Sequence, residues 1–362
     1  MRISSRGVLS VPLILTLAGP AHAATFHAAA SHGTDAPGCG TKAAPCRSIS
    51  AAIDAARDGD TIVVGPGRYG DANRDGDTGD PGDEPGLPFC GCVLGIGKEV
   101  TIVSSDGASA TTIDGTTVVA TRTVLFLTNG ATLGKPGKGF TITNPREQNG
   151  AFDIVGVGVL GANNAIRGNL LRGFPNASQG PILTFGTGIE VFDTAEGPIR
   201  IEANQLSGWS RAIHHAGPAA VTIRKNQVSH NNTGIFADGP AVEVVGNVAT
   251  ENRDGFVVGE TARVVGNAAI GNRRTGFQLA SDFAGEFTKN NMYGNLSCGL
   301  LNSRTNLVAT ENFWGAPTGP GPYPADRTAG FGGCPLSGVE GQPVVVAPFA
   351  TRPFAVKAPL RF

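Results

Sequence analysis

Charge and aromatic rings are scarce in this chain: only 16% of its 362 residues are charged and 6% are aromatic, with two tryptophans and two methionines. The net charge of −1 leaves no basic excess, which excludes a broad nucleic-acid footprint. No apolar run approaches the ~20 residues of a membrane-spanning helix, so no bilayer crossing is expected. What is abundant is glycine and proline, at 53 and 24 residues, about a fifth of the chain where ~12% is ordinary. Glycine costs a helix interior roughly 1 kcal/mol per residue, which disfavours a helical bundle. The absence of a strict G-X-Y period excludes collagen. Hydrophobic residues still make up 40%, enough for a core and too many for a disordered chain. A turn-rich β protein remains.

The first residues read as an address. Arg2 and Arg6 precede an apolar stretch from Val8 to Ala18, and Ala21-His22-Ala23 places small residues where an export peptidase reads. Cleavage is expected after Ala23, giving a secreted or periplasmic product with 26 basic residues against 29 acidic. The six cysteines Cys39, Cys46, Cys90, Cys92, Cys298 and Cys334 suit an oxidising compartment. The short loop between Cys39 and Cys46 favours that disulfide, and Cys298–Cys334 would tie a late segment to the tail. Cys90 and Cys92 could pair only through a strained ring or stay free. No C-x2-C pair supports zinc.

Asparagine is distributed unevenly: of 22, only Asn73 precedes residue 129. In the second half a pattern recurs: apolar-x-apolar-x-x-Asn, a second asparagine five residues on, then glycine and an apolar pair. It reads VTIRKN with Asn231, VEVVGN with Asn252, ARVVGN with Asn272, and FTKN with Asn295. The lead asparagines Asn204, Asn226, Asn247, Asn267, Asn290 and Asn312 are spaced by 22, 21, 20, 23 and 22 residues. A period of this length signals a solenoid, and apolar spacing of two within each repeat signals strands. Asparagine and glycine suit left-handed turns, and asparagine repeating at one position can stack as a ladder.

These repeats, the opening CGTKAAPCRSISAAIDAARDGDTIVVGPGRY and the late NFWGAPTGPGP make the chain resemble the secreted right-handed parallel β-helix repeat proteins of the pectin-lyase-like superfamily, over residues 38–350. The expected fold is all-β, a right-handed parallel β-helix of about ten coils. Its parts are a signal peptide (1–23), a lead-in with a disulfide (24–47), the solenoid (48–315) and a C-terminal cap and tail (316–362). A capping helix over 48–57 should start at an N-cap Ser48 and stop near Gly59, with the first coil beginning at 61–64. An acidic loop occupies 71–84.

Two places could carry chemistry. Asp71, Asn73, Asp75 and Asp77 alternate as in the first half of a calcium loop, although Gly82 stands where that family has a glutamate; otherwise the loop is a solvated acidic insertion. On the sheet after each second asparagine, the outward column reads Glu190, His214, Phe236, Val257, Gln278 and Leu301, with Arg211, Arg253 and Arg274 just before the same strands. His215 should turn inward. A polysaccharide lyase needs a base and a cation for the sugar carboxylate: His214 or an arginine, and Arg253 or Arg274. Asn252-Arg253-Asp254-Gly255 resembles the acid motif of polygalacturonase-like hydrolases, but the next coil supplies no second carboxylate, so Asp254 is expected to be a turn residue. Trp209 and Trp314 could be sugar platforms or core. The leading expectation is a protein that binds or cleaves extracellular polysaccharide; the alternative is a non-catalytic structural or adhesive solenoid.

Overall fold

The computed structural model describes residues 23–71, 75, 83–86, 92–115, 123–144, 154–174, 186–260, 262–304, 306–321 and 344–356. Each full coil lays down one short strand on each of three faces in turn. Arg211–Ala216, Val221–Arg224 and Gln227–Ser229 form one coil, and Thr233–Asp238 opens the next. Every strand of the three faces pairs in parallel with its counterpart one coil away, giving sheets of ten, nine and nine strands. The chain is therefore a parallel β-helix, and the strand–crossover–strand rule makes its hand right.

Alternate side chains from all three sheets meet in one continuous core. Ile189, Ile213, Ile235, Phe256, Phe277 and Leu300 stack in register along one wall. Phe256 and Phe277 lie face to face with centroids 4.5 Å apart, and Phe287 meets Phe277 edge-on at 5.1 Å. Trp209 and Trp314 are completely buried, so both are core residues and neither is a sugar platform.

The asparagines form two ladders inside the turns. In the first, Asn204, Asn226, Asn247, Asn267, Asn290 and Asn312 are all fully buried. Each accepts from the backbone N–H and the amide nitrogen of the asparagine one coil before. The second runs from Asn231 through Asn252 and Asn272 to Asn295, with Trp209 as its opening rung. The left-handed conformation belongs to the residue before the ladder asparagine, not to the asparagine itself. Ala203, Lys225, Gly246, Gly266 and Lys289 have φ between 55° and 68°. Glycine occupies only two of these five positions; Ala203, Lys225 and Lys289 adopt it despite the strain, each followed by an asparagine that bonds to the neighbouring coils.

The N-terminal end differs from expectation in one respect. The ten-stranded sheet starts with Thr25–Ala28, a strand placed before Thr61–Val64, so the lead-in is already part of the solenoid. The helix Ile49–Ala55 plugs this end with Ile49, Ala52 and Ile53, and the Ser48 hydroxyl accepts from Ala51 N at 3.0 Å. Its last carbonyls are taken by Lys98 Nζ, which donates to Ile53, Asp54 and Ala56; the cap is a lysine, not Gly59. Cys39 and Cys46 form a disulfide. Cys92 is itself in a disulfide, and so is Cys298, which removes the free-thiol alternative for Cys92; Cys90 and Cys334 lie outside the described residues. At the far end Val344–Val345 pairs with Leu307–Val308, and Phe354 exchanges two hydrogen bonds with the Asn291 amide. The tail thus closes the last coil, as an uncovered sheet edge requires.

Candidate functional site

The nine-stranded sheet that includes Thr187–Val191, Arg211–Ala216 and Thr233–Asp238 carries the densest chemistry. Its outward column runs Gly95, Phe126, Gly158, Glu190, His214, Phe236, Val257, Gln278 and Leu301, one residue per coil. In-register neighbours on parallel strands lie ~4.8 Å apart, which is why Glu190 and His214 meet although 24 residues separate them. His214 Nδ1 is 2.6 Å from Glu190 Oε1, and both side chains are about 15% exposed. With Nδ1 held by the carboxylate, Nε2 is the ring atom free to exchange a proton.

Aromatic rings flank the pair. On one side the His214 and Phe236 centroids are 4.9 Å apart, and the Arg211 guanidinium lies over the same Phe236 ring at 5.7 Å. Arg211 makes no ion pair among the described residues. On the other side Phe126 and Phe192 are 6.0 Å apart and come together over Gly158. A Cβ there would lie 2.4 Å from the Phe126 ring and 3.1 Å from Phe192, so the close approach of the rings requires a glycine. Along the solenoid axis the face therefore presents phenylalanine, carboxylate, imidazole and phenylalanine, and Arg211, three residues before His214 on the same strand, sets a cation beside them. Phe126, Phe192 and Gly158 were not anticipated, because the coils carrying Phe126 and Gly158 lack the asparagine pattern that aligns the others.

The remaining expected residues separate from this group. Arg211 shares its register with Thr233, Asp254 and Thr275, so Arg253 and Arg274 stand one residue out of its column. Arg274 is committed elsewhere: its Nε and Nη2 donate to the two Asp254 oxygens at 2.7 and 2.5 Å, and Thr275 Oγ1 donates to Oδ1 at 2.5 Å. Its Nε and Nη2 are thus taken up by Asp254, while the side chain stays 25% exposed. Asp254 is the buried first residue of a strand, not a turn residue, and its two oxygens are occupied, which leaves the hydrolase-like motif without a free acid. Arg253 lies in the turn preceding that strand, two coils beyond Arg211. His215 points inward and is fully buried; burial and the neighbouring His214 push its pKa down, keeping the ring neutral.

The acidic loop is not simply solvated. Asp71, Asp83 and Glu84 are buried, whereas Asp75 is exposed; Asn73 and Asp77 lie outside the described residues. Glu84 caps the helix, accepting from Ile49 N, Ser50 N and Ser50 Oγ at 2.6, 2.9 and 2.5 Å. Burial raises its pKa, against the pull of those bonds.

Comparison with known proteins gives a family match over part of the chain. The family described as periplasmic copper-binding protein (NosD) matches residues 177–316. No curated protein matches. The crystal structure of pectate lyase Pel9A is similar at 16% identity, over 91% of this chain and 78% of that one, with a TM-score of 0.42. The Azotobacter vinelandii mannuronan C-5 epimerase AlgE6 A-module is similar at 16% identity, over 73% of this chain and 64% of that one, with a TM-score of 0.28. The described residues do not fit a copper ion. His214 and His215 point to opposite sides of one strand, the described cysteines are disulfide-bonded, and Met292 is fully buried. The one cluster of three donor side chains among the described residues, Asp35, Cys39 and Cys46, contains the disulfide.

Proposed function

We propose that this is an exported protein that binds an extracellular acidic polysaccharide along the Phe126–Phe236 face and cleaves it by elimination. The observation that carries the reading is the 2.6 Å Glu190–His214 pair set between phenylalanine rings on an outward sheet face. Aromatic faces stack on sugar rings. Glu190 orients His214, whose Nε2 takes the C5 proton beside the sugar carboxylate. Arg211, the cation of this face, neutralises the carboxylate as charge builds on it. The electron pair left at C5 forms the C4–C5 double bond and expels the glycosidic oxygen, which takes the proton back from His214 Nε2 as it leaves. A structural calcium ion held by Asp71, Asn73, Asp75 and Asp77 is proposed on sequence spacing alone, outside this mechanism.

The test is ultraviolet absorbance of unsaturated product on a panel of uronic-acid polymers, with and without calcium. Product should form on at least one polymer, fall at least ~100-fold in His214→Ala, and fall less in Glu190→Gln. Absence of product on every polymer removes the lyase. Val257 and Leu301 continue the column without a charge, which favours a second reading: a non-catalytic adhesive face, recognised by glycan binding without turnover.

A further inference from the structure

Thr25–Ala28 is the end strand of its sheet, paired there only to Thr61–Val64, and its outer side is held by the disulfide loop through His27 N to Gly40 O and Ala29 N to Cys46 O, both at 2.8 Å. A carboxylate anchors its start. Ala24 N lies 2.6 Å from Asp60 Oδ1, and Oδ2 of the same group accepts from Arg57 N at 2.7 Å. Ala24 O accepts from Thr61 N, and Asp60 O from Thr101 N, at 2.9 and 3.0 Å. The two flanks of this contact differ: Asp60 is only 7% exposed, whereas Ala23 and Ala24 are exposed. Backbone hydrogen bonds from Arg57 and Ala24 hold the Asp60 carboxyl below its ordinary range, so it is ionised at neutral pH. A peptide N–H offers this anion one donor and no charge. Lys98, the nearby ammonium, is occupied with the carbonyls of the capping helix.

We propose that the Ala23–Ala24 bond is the maturation cleavage site, and that Asp60 is the receptor for the α-ammonium group that cleavage creates. Hydrolysis breaks the bond between the Ala23 carbonyl carbon and the Ala24 nitrogen. The oxygen of water leaves with Ala23 as a carboxylate, and the nitrogen remains on Ala24 as –NH3+. Water is the only co-reactant, and an export peptidase selective for small residues is the catalyst. The same nitrogen then carries three donors and a full charge against an anion it already touches, and charge-assisted bonds are roughly twice as strong as neutral ones. The contact is specific for one cleavage register. A chain beginning at Ala23 places its charge one residue, ~3.4 Å, further out, and a chain beginning at Thr25 has lost the donor. Cleavage therefore locks the first strand of the solenoid.

The inference rests on the export reading and is tested separately from it. Protein recovered after export should begin at Ala24 by intact mass and N-terminal sequencing. Amide hydrogen exchange is then compared for the native protein, the protein acetylated at its α-amine, and Asp60→Asn. Acetylation preserves the N–H and removes the charge. The Thr61 amide, which donates to Ala24 O, should exchange roughly tenfold faster in both altered forms, with amides of the asparagine ladder unchanged and no further effect of acetylating Asp60→Asn. Retention inside the cell with residues 1–23 attached overturns export and the inference together. An exported chain that begins elsewhere overturns the cleavage site, and one that begins at Ala24 but exchanges identically with and without acetylation overturns the receptor; neither touches export.

Discussion

Individual side chains in this solenoid gain their partners from the coil above or below. Arg167, Glu202 and Arg224 occupy one register on the ten-stranded sheet, and both guanidinium groups reach the same Glu202 oxygen, at 3.1 and 3.0 Å. Burial pushes the Glu202 pKa up. The hydrogen bond from Arg224 and the charges of Arg224, Arg167 and Lys225 outweigh that effect and leave the pKa below its ordinary value. A carboxylate with a depressed folded-state pKa contributes stability above its unfolded value, ~4.3, and loses it as pH falls through the folded value. Melting temperature should accordingly drop between about pH 4.3 and lower pH. Glu202→Gln should flatten that acid limb while leaving the Glu190–His214 face, on a different sheet, undisturbed; an acid limb of unchanged steepness would show that other carboxylates dominate it. Glu190 and His214 follow the same rule of coil-to-coil pairing, and their contact was legible in the sequence because both follow the repeat. Arg274 shows the limit. Its position was readable, but nothing in the linear pattern reveals that its guanidinium is taken up by Asp254.

At the scale of a turn, the asparagine ladder is the unit that fixes one coil on the next. Asn247 makes four buried bonds: Oδ1 accepts from Asn226 N and Nδ2 at 2.9 and 3.0 Å, and Nδ2 donates to Ile223 O and Asn267 Oδ1 at 2.8 and 3.0 Å. A buried group left without its partner costs about 1–3 kcal/mol. Asn247→Ala abandons several at once and should cost at least ~3 kcal/mol in denaturant unfolding. Asn247→Asp keeps the acceptor but turns an oxygen toward Ile223 O and Asn267 Oδ1, and should be comparably damaging; a loss under ~1 kcal/mol for either would mean the turns hold without the ladder. This regularity is why the second half of the chain was readable: a residue required once per coil leaves a spacing. The N-terminal coils obey the same geometry with other residues. Thr25–Ala28 pairs in perfect register with Thr61–Val64, yet TFHA carries no asparagine and no glycine to announce it. The coils of Phe126 and Gly158 likewise lack the asparagine, so no spacing sets these two residues on the column of Glu190 and His214.

Across the whole molecule, stability is a sum of coils and their interfaces, so a coil can be removed without changing the architecture. Residues 248–267 are one such unit, since Asn247 and Asn267 are equivalent rungs 20 residues apart. Their deletion joins Asn247 to Ala268, brings Ala268–Ile270 against Gln227–Ser229, and sets Asn272 against Asn231. Both ladders stay continuous, although Phe277 loses its stacking partner Phe256. The deletion also removes Arg253 and Asp254 while leaving Phe126, Phe192, Glu190, His214, Arg211 and Phe236 on intact coils. The shortened protein should keep the circular dichroism of a β-solenoid and melt a few degrees lower, the size expected of a loss of ~1–2 kcal/mol in a chain this long. The acidic-glycan binding proposed for the full chain should also persist to within about threefold, because the proposed face lies wholly on coils that remain. Folded protein that no longer binds would relocate the site to the Arg253 turn two coils away, where the cation missing from the deletion would then be the one that recognises the ligand.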